Sequence, residues 1–103
     1  MDKPQPSPIN FGISVSESLI QTLEKLGDSG PAIDLIKQRT AFGIKKYGQP
    51  LMSEDGRNTI IDALQEAGDL MQYIWKAKLR HEDLSQVSQI LATIQKIMTI
   101  DPH

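Results

Sequence analysis

From Ser14 onward, apolar residues recur every three to four positions, the spacing of amphipathic helices rather than of strands. Leu19, Ile20, Leu23 and Leu26 share one face of a first helix, which opens on a Ser14-x-x-Glu17 capping box and stops at Gly27. A second helix runs from Pro31, a residue suited to the first helical position, to Tyr47, with Gly48 as its cap. It carries two stripes, one of Ile33, Ile36, Thr40, Ile44 and Tyr47, the other of Leu35, Arg39, Phe42 and Lys46. A third helix runs from Thr59 to Arg80, with Ile60, Ile61, Leu64, Ala67, Met71, Ile74 and Trp75 on a broad apolar face. Almost opposite lie Asp62, Glu66, Asp69 and Tyr73. Gly68, inside this helix, costs about 1 kcal/mol relative to alanine, and close approach of another backbone would explain its presence. A fourth helix begins near Asp83, with Gln86 as capping partner. It continues through Leu84, Val87, Ile90, Leu91, Ile94, Ile97 and Met98 in a near-heptad seam.

Between the second and third helices, residues 49–57 read as a loop rich in turn formers (Pro50, Ser53, Asp55, Gly56), with Leu51 and Met52 pinning it to the core. Residues 1–13 read as an extended proline-rich arm, lying loose or wrapping a neighbouring subunit. No segment alternates long enough to predict a strand. The expected architecture is all-α: a small bundle of about four helices, one helical domain over residues 14–103. A chain of 103 residues has room for one thin core. Assembly into a helical homo-oligomer through the apolar helices follows, with the fourth, more apolar than a small bundle needs, as the interface candidate.

A net charge of −2 argues against a domain that holds long nucleic acid through bulk basic charge. The absence of cysteine excludes disulfides and thiolate metal sites, and His81 and His103 alone build no zinc centre. No apolar run is long enough to span a membrane, and the N-terminus has no apolar leader core. The expected location is cytoplasmic, the host cytosol if the chain is virus-encoded. No glycine-rich phosphate loop is present, Ser53 has no histidine nearby to activate it, and His81 suits the carbonyls of a helix end.

Two stripes carry the candidate chemistry. Arg39 and Lys46 offer phosphate partners, a planar fork and a point charge, with Phe42 between them to stack on a base or ribose. Lys45, Tyr47 and Arg57 lie close in sequence. The structural alternative is that the basic stems merely cover a packed Phe42 and Leu35. On the third helix, Asp62, Glu66 and Asp69 form an oxygen-rich set suited to Mg²⁺, or else a solvated face.

The run Arg39-x-x-Phe42-Gly43-x-x-Lys46-Tyr47-Gly48-x-x-Leu51, then Gly56-Arg57, then Asp62-x-x-x-Glu66-x-x-Asp69-Leu70-x-x-Tyr73 resembles small phage and prophage proteins allied to the MazG-like all-α nucleotide pyrophosphohydrolases. That resemblance implies helical bundles assembled as dimers or tetramers, and Mg²⁺-dependent hydrolysis of nucleoside triphosphates to monophosphate and pyrophosphate. It implies two carboxylate pairs as the metal site. Glu66-x-x-Asp69 matches the second pair, whereas Gln38, Arg39, Phe42 and Lys45 stand where the first is expected. The leading expectation is therefore a non-catalytic nucleotide binder that requires no cofactor. Arg39, Lys45, Lys46 and Arg57 would hold phosphates, Phe42, Tyr47 or Tyr73 the base or sugar, and Glu66 and Asp69 the ribose hydroxyls or base amino groups. In a phage it would sequester a nucleotide immune signal, such as a cyclic oligonucleotide or a cyclic ADP-ribose derivative. The alternatives are a Mg²⁺-dependent pyrophosphohydrolase, with Glu66 and Asp69 catalytic and Asp62 as a further metal ligand, and a helical protein-interaction module.

Overall fold

A computed structural model describes residues 11–28 and 30–102. The elements run β1 (Phe11–Ser14), α1 (Val15–Lys25), α2 (Gly30–Tyr47), β2 (Met52–Glu54), α3 (Thr59–Leu79) and α4 (Ser85–Met98). The four helices fall where the apolar spacing places them. They belong to two compact units, the first ending at Arg57 and the second beginning at Asn58. Most of the proline-rich arm, residues 1–10, and the terminal His103 lie outside the described residues.

The first unit corrects the expectation of a chain without strands. The last residues of the expected arm form β1, and part of the expected loop forms β2, paired antiparallel. Phe11 faces Glu54 and Ser14 faces Met52, so three steps along β1 match two along β2. The extra residue makes a bulge. Gly12 sits there at φ +92°, in the left-handed region that favours glycine. A Cβ at Gly12 would run into Ser53 Oγ and come within 3.1 Å of Glu54 Cγ. Ser53 Oγ instead accepts from the Ile13 amide at 2.9 Å.

The sheet also anchors the start of α1. Ser14 is the N-cap but makes no side-chain capping bond, so the expected Ser14–Glu17 box is not formed. Ser14 is held in β1, and the Val15 amide donates to the Leu51 carbonyl at 3.0 Å, satisfying one of the donors that open a helix. Leu51, expected to pin this segment by its side chain, does so by its backbone, the side chain being exposed.

Gly27 ends α1 at φ +73°. Its amide donates to the Glu24 carbonyl at 3.0 Å and the Asp28 amide to the Leu23 carbonyl at 2.9 Å, which is the Schellman pattern. The reversal lets α1 pack on α2, burying Leu23 completely and Ala32 and Ile33 nearly so. These are the buried apolar side chains among the described residues. They gather at the N-terminal part of α2. Farther along, Ile36 and Thr40 are half-buried, while Ile44 and Tyr47 are exposed, so the inward stripe opens to solvent toward Gly48.

In the second unit, Asn58 caps α3 by accepting from the Ile61 amide at 3.0 Å. The other end of α3 is again a Schellman turn, but with His81 at the left-handed position, φ 56°. The His81 amide donates to the Lys78 carbonyl at 3.2 Å and the Glu82 amide to that of Ala77 at 2.9 Å. Thus His81 meets terminal carbonyls through its backbone. Before α4, the Asp83 carboxylate accepts from the Ser85 amide at 2.9 Å and the Ser85 hydroxyl at 3.1 Å. Leu84 is the N-cap, with no side-chain capping bond, so Gln86 does not act as the expected partner. Half-buried residues recur at helical spacing along both helices: Leu70, Ile74 and Ala77 on α3, then Val87, Ile90 and Ile97 on α4. Among the described residues of this unit, no side chain is fully buried.

Candidate functional site

The outward stripe of α2 is the candidate site. Leu35, Arg39, Phe42 and Lys46 are all exposed, whereas Ile33 on the other stripe of the helix is buried and Ile36 and Thr40 beside it are half-buried. Residues 35–53 hold no aspartate or glutamate but contain Lys37, Arg39, Lys45 and Lys46. A chain of net negative charge thus concentrates positive potential along one helix.

Two stacked pairs organise it. The Arg39 guanidinium lies over the Phe42 ring, 4.5 Å from its centroid, and Lys46 Nζ lies 5.2 Å from the Tyr47 centroid. A cation on an exposed aromatic face gains about 0.5–1 kcal/mol, enough to bias a long side chain without locking it. Phe42 remains 50% exposed and Tyr47 69%. Among the described residues, Arg39, Lys45 and Lys46 form no ion pair, so their charges are not neutralised by these residues. Lys45 and Lys46 stand in the last turn of α2, where they also offset the partial negative charge of the helix end. Arg39 is two turns earlier, and that dipole does not account for it.

Both expectations for this stripe meet in the geometry. The arginine does cover Phe42, but Phe42 is not packed, so the pair is a surface platform rather than the edge of a core. Arg57 lies beyond β2 at the end of the first unit, and its amide donates to the Asp55 carboxylate at 3.0 Å.

The acidic candidates belong to the second unit. Asp62 is half-buried on the first turns of α3, and Glu66, Asp69 and Tyr73 are exposed. Among the described residues, no group of three histidines, aspartates or glutamates gathers in a way that could hold a metal ion. Of the α4 seam, Leu84, Val87, Ile90 and Ile97 are half-buried and Leu91, Ile94 and Met98 exposed; on α3 the side chains Ile60, Leu64, Met71 and Trp75 are exposed.

No helix among the described residues is long and apolar enough to cross a membrane. No family model matches the chain, nor does any curated protein or solved structure.

Proposed function

We propose that this chain binds a nucleotide through the outward stripe of α2 and has no catalysis of its own. The supporting observation is the Arg39–Phe42 stack beside Lys45, Lys46 and Tyr47 on an acid-free stretch. A nucleotide presents a flat π-face and a polyanion a few ångströms apart. Phe42 supplies an exposed ring on the stripe and Tyr47 another at the open end of the neighbouring stripe, Arg39 a planar fork for phosphate oxygens and the two lysines point charges. The ligand class is a nucleotide phosphate, linear or cyclic. Sequestration of a cyclic nucleotide signal is the form that the phage-like resemblance adds to this reading.

The test is a thermal-shift panel of linear and cyclic nucleotides, each with and without Mg²⁺, with chromatography of every sample. A ligand of the native state at a hundred times its Kd stabilises by about 2.7 kcal/mol, a readily measured rise in melting temperature. The proposal expects such a rise with an intact ligand and no metal, lost in Arg39→Ala. Metal-dependent release of pyrophosphate, abolished by Glu66→Gln, would replace it with the hydrolase. No response to any nucleotide would leave the protein-interaction module.

A further inference from the structure

The apolar face of α3 has a two-fold symmetry in its spacing. Ile60, Leu64, Met71 and Trp75 lie on one side of the helix and are 69%, 65%, 66% and 62% exposed. Ala67 and Gly68 fall between them. The intervals along Ile60, Leu64, Ala67, Gly68, Met71 and Trp75 are four, three, one, three and four residues, the same read from either end. Size follows the same order: two large side chains, two small residues, two large side chains. From Ile60 to Trp75 the face carries no charged residue.

A two-fold axis perpendicular to a helix maps each residue onto the one equally far beyond the midpoint. With the axis between Ala67 and Gly68, Ile60 meets Trp75 of a second copy, Leu64 meets Met71, and Ala67 meets Gly68. Each contact sets residues of compatible bulk side by side, and the smallest lie where the helices come closest. Gly68 supplies a further observation. A Cβ there would touch no heavy atom within 4 Å, so nothing in the chain itself calls for glycine in the middle of a 21-residue helix.

We infer that α3 pairs antiparallel with α3 of a second copy of this chain, about a two-fold axis at Ala67–Gly68. The area reaches the low end of stable interfaces. Ile60, Ile61, Leu64, Met71, Trp75 and Leu79, at roughly 100 Å² of outward surface each, present about 600 Å² per copy, or about 1,200 Å² for a pair, where standard interfaces bury roughly 1,200–2,000 Å² in total. Ala67, Gly68 and the stems of Gln72 and Lys78 add to it. The second unit, without a fully buried side chain, gains its missing core from this contact. The inference stands apart from nucleotide binding and makes no use of the α2 stripe.

The chain lacks cysteine, so single introduced cysteines report the geometry directly. Oxidation of Ala67→Cys is expected to link two full-length copies, because position 67 sits beside the axis. Oxidation of Leu64→Cys is expected not to, because the two copies of position 64 lie about 10 Å apart along an antiparallel pair, beyond disulfide reach. A mixture of Leu64→Cys with Met71→Cys is expected to link. Sedimentation should give twice the chain mass of 11.5 kDa, and Met71→Glu should return the mass to that of one chain. Self-linking of Leu64→Cys would mean a parallel pair and overturn the inference. So would linking through Met98→Cys on α4 without linking at position 67, or one-chain mass for the unmodified protein with Trp75 shielded from quencher, since another part of the chain would then cover the face.

Discussion

Replacing Gly68 with alanine should move helix content and association in opposite directions. Gly68 lies near the middle of α3, and within one chain the added methyl meets no heavy atom within 4 Å. The only intrachain effect is propensity, about 0.8–1.0 kcal/mol in favour of alanine at an interior helical position. Dilute protein should therefore show more helix by circular dichroism and a higher melting temperature. That gain is present in the single chain and in the pair alike, so it cancels in the dissociation constant. The methyl's steric effect does not cancel. If the two-fold axis passes between Ala67 and Gly68, each pair receives two methyls at its closest approach. Overpacking costs about 1–3 kcal/mol per site, hence at least ~2 kcal/mol per pair, or roughly a thirtyfold rise in Kd at 1.4 kcal/mol per decade. The assay is sedimentation equilibrium across a concentration series, beside circular dichroism of the same samples. An unchanged or lowered Kd would refute the placement of the axis, whatever happened to the helix.

Three other substitutions or conditions test the local geometry. Gly12→Ala should destabilise the first unit by about 1–3 kcal/mol, since its positive φ disfavours a side chain and its Cβ meets Ser53 Oγ; urea denaturation would measure it, and a neutral result would argue against the bulge. His81→Gly should stabilise by about 0.5–1 kcal/mol, because glycine tolerates φ 56° where histidine is strained, and a lower melting temperature would count against the turn. The Ser85 amide and hydroxyl hold the Asp83 carboxyl below the ordinary aspartate value of 3.8. A depressed folded value means that the contribution is complete above 3.8 and is lost as pH falls through the lower folded value. The amide signals of Ser85 and its neighbours should therefore shift only under strongly acidic conditions, and in Asp83→Asn that acid transition should be absent.

The helices were legible in the sequence because each carries several turns of apolar residues at constant spacing, and punctuation by Gly27 and Gly48 marks the ends of the first two. The strands were not. β1 spans four residues and β2 three, too short to show alternation, and β1 holds a glycine whose purpose is visible only once Ser53 lies against it. Their pairing joins residues about forty apart, which local patterns do not encode. The capping expectations failed for a related reason. A Ser-x-x-Glu spacing identifies a place where a box can close, but Ser14 is held by the sheet and the helix donor finds the Leu51 carbonyl instead. The basic residues of the candidate site were legible as a stripe. What the sequence left open was whether Phe42 is core or surface, because i, i+4, i+7 spacing describes either side of a helix. The exposure of Phe42, with Ile33 buried and Ile36 and Thr40 half-buried on the other stripe, decides it.

The two proposals are coupled by a physical constraint. A binder whose ligand rests on an exposed helical stripe needs that helix held still, since ordering a long arginine and two lysines on binding opposes affinity. In this chain, α2 is braced by the few buried residues of the first unit, while in the second unit Ile60, Leu64, Met71 and Trp75 of α3 are exposed. Pairing through α3 would add core where the chain has least and would make no use of the α2 stripe. Nucleotide affinity and pairing should then respond to different substitutions. Arg39→Ala should abolish the ligand-induced rise in melting temperature at unchanged sedimentation mass. Met71→Glu should lower the mass and the melting temperature of the unliganded protein while leaving the Arg39–Phe42 platform intact. If Arg39→Ala instead dissolved the pair, α2 would be part of the subunit contact, and its exposed arginine and aromatics would be interface residues rather than a ligand site.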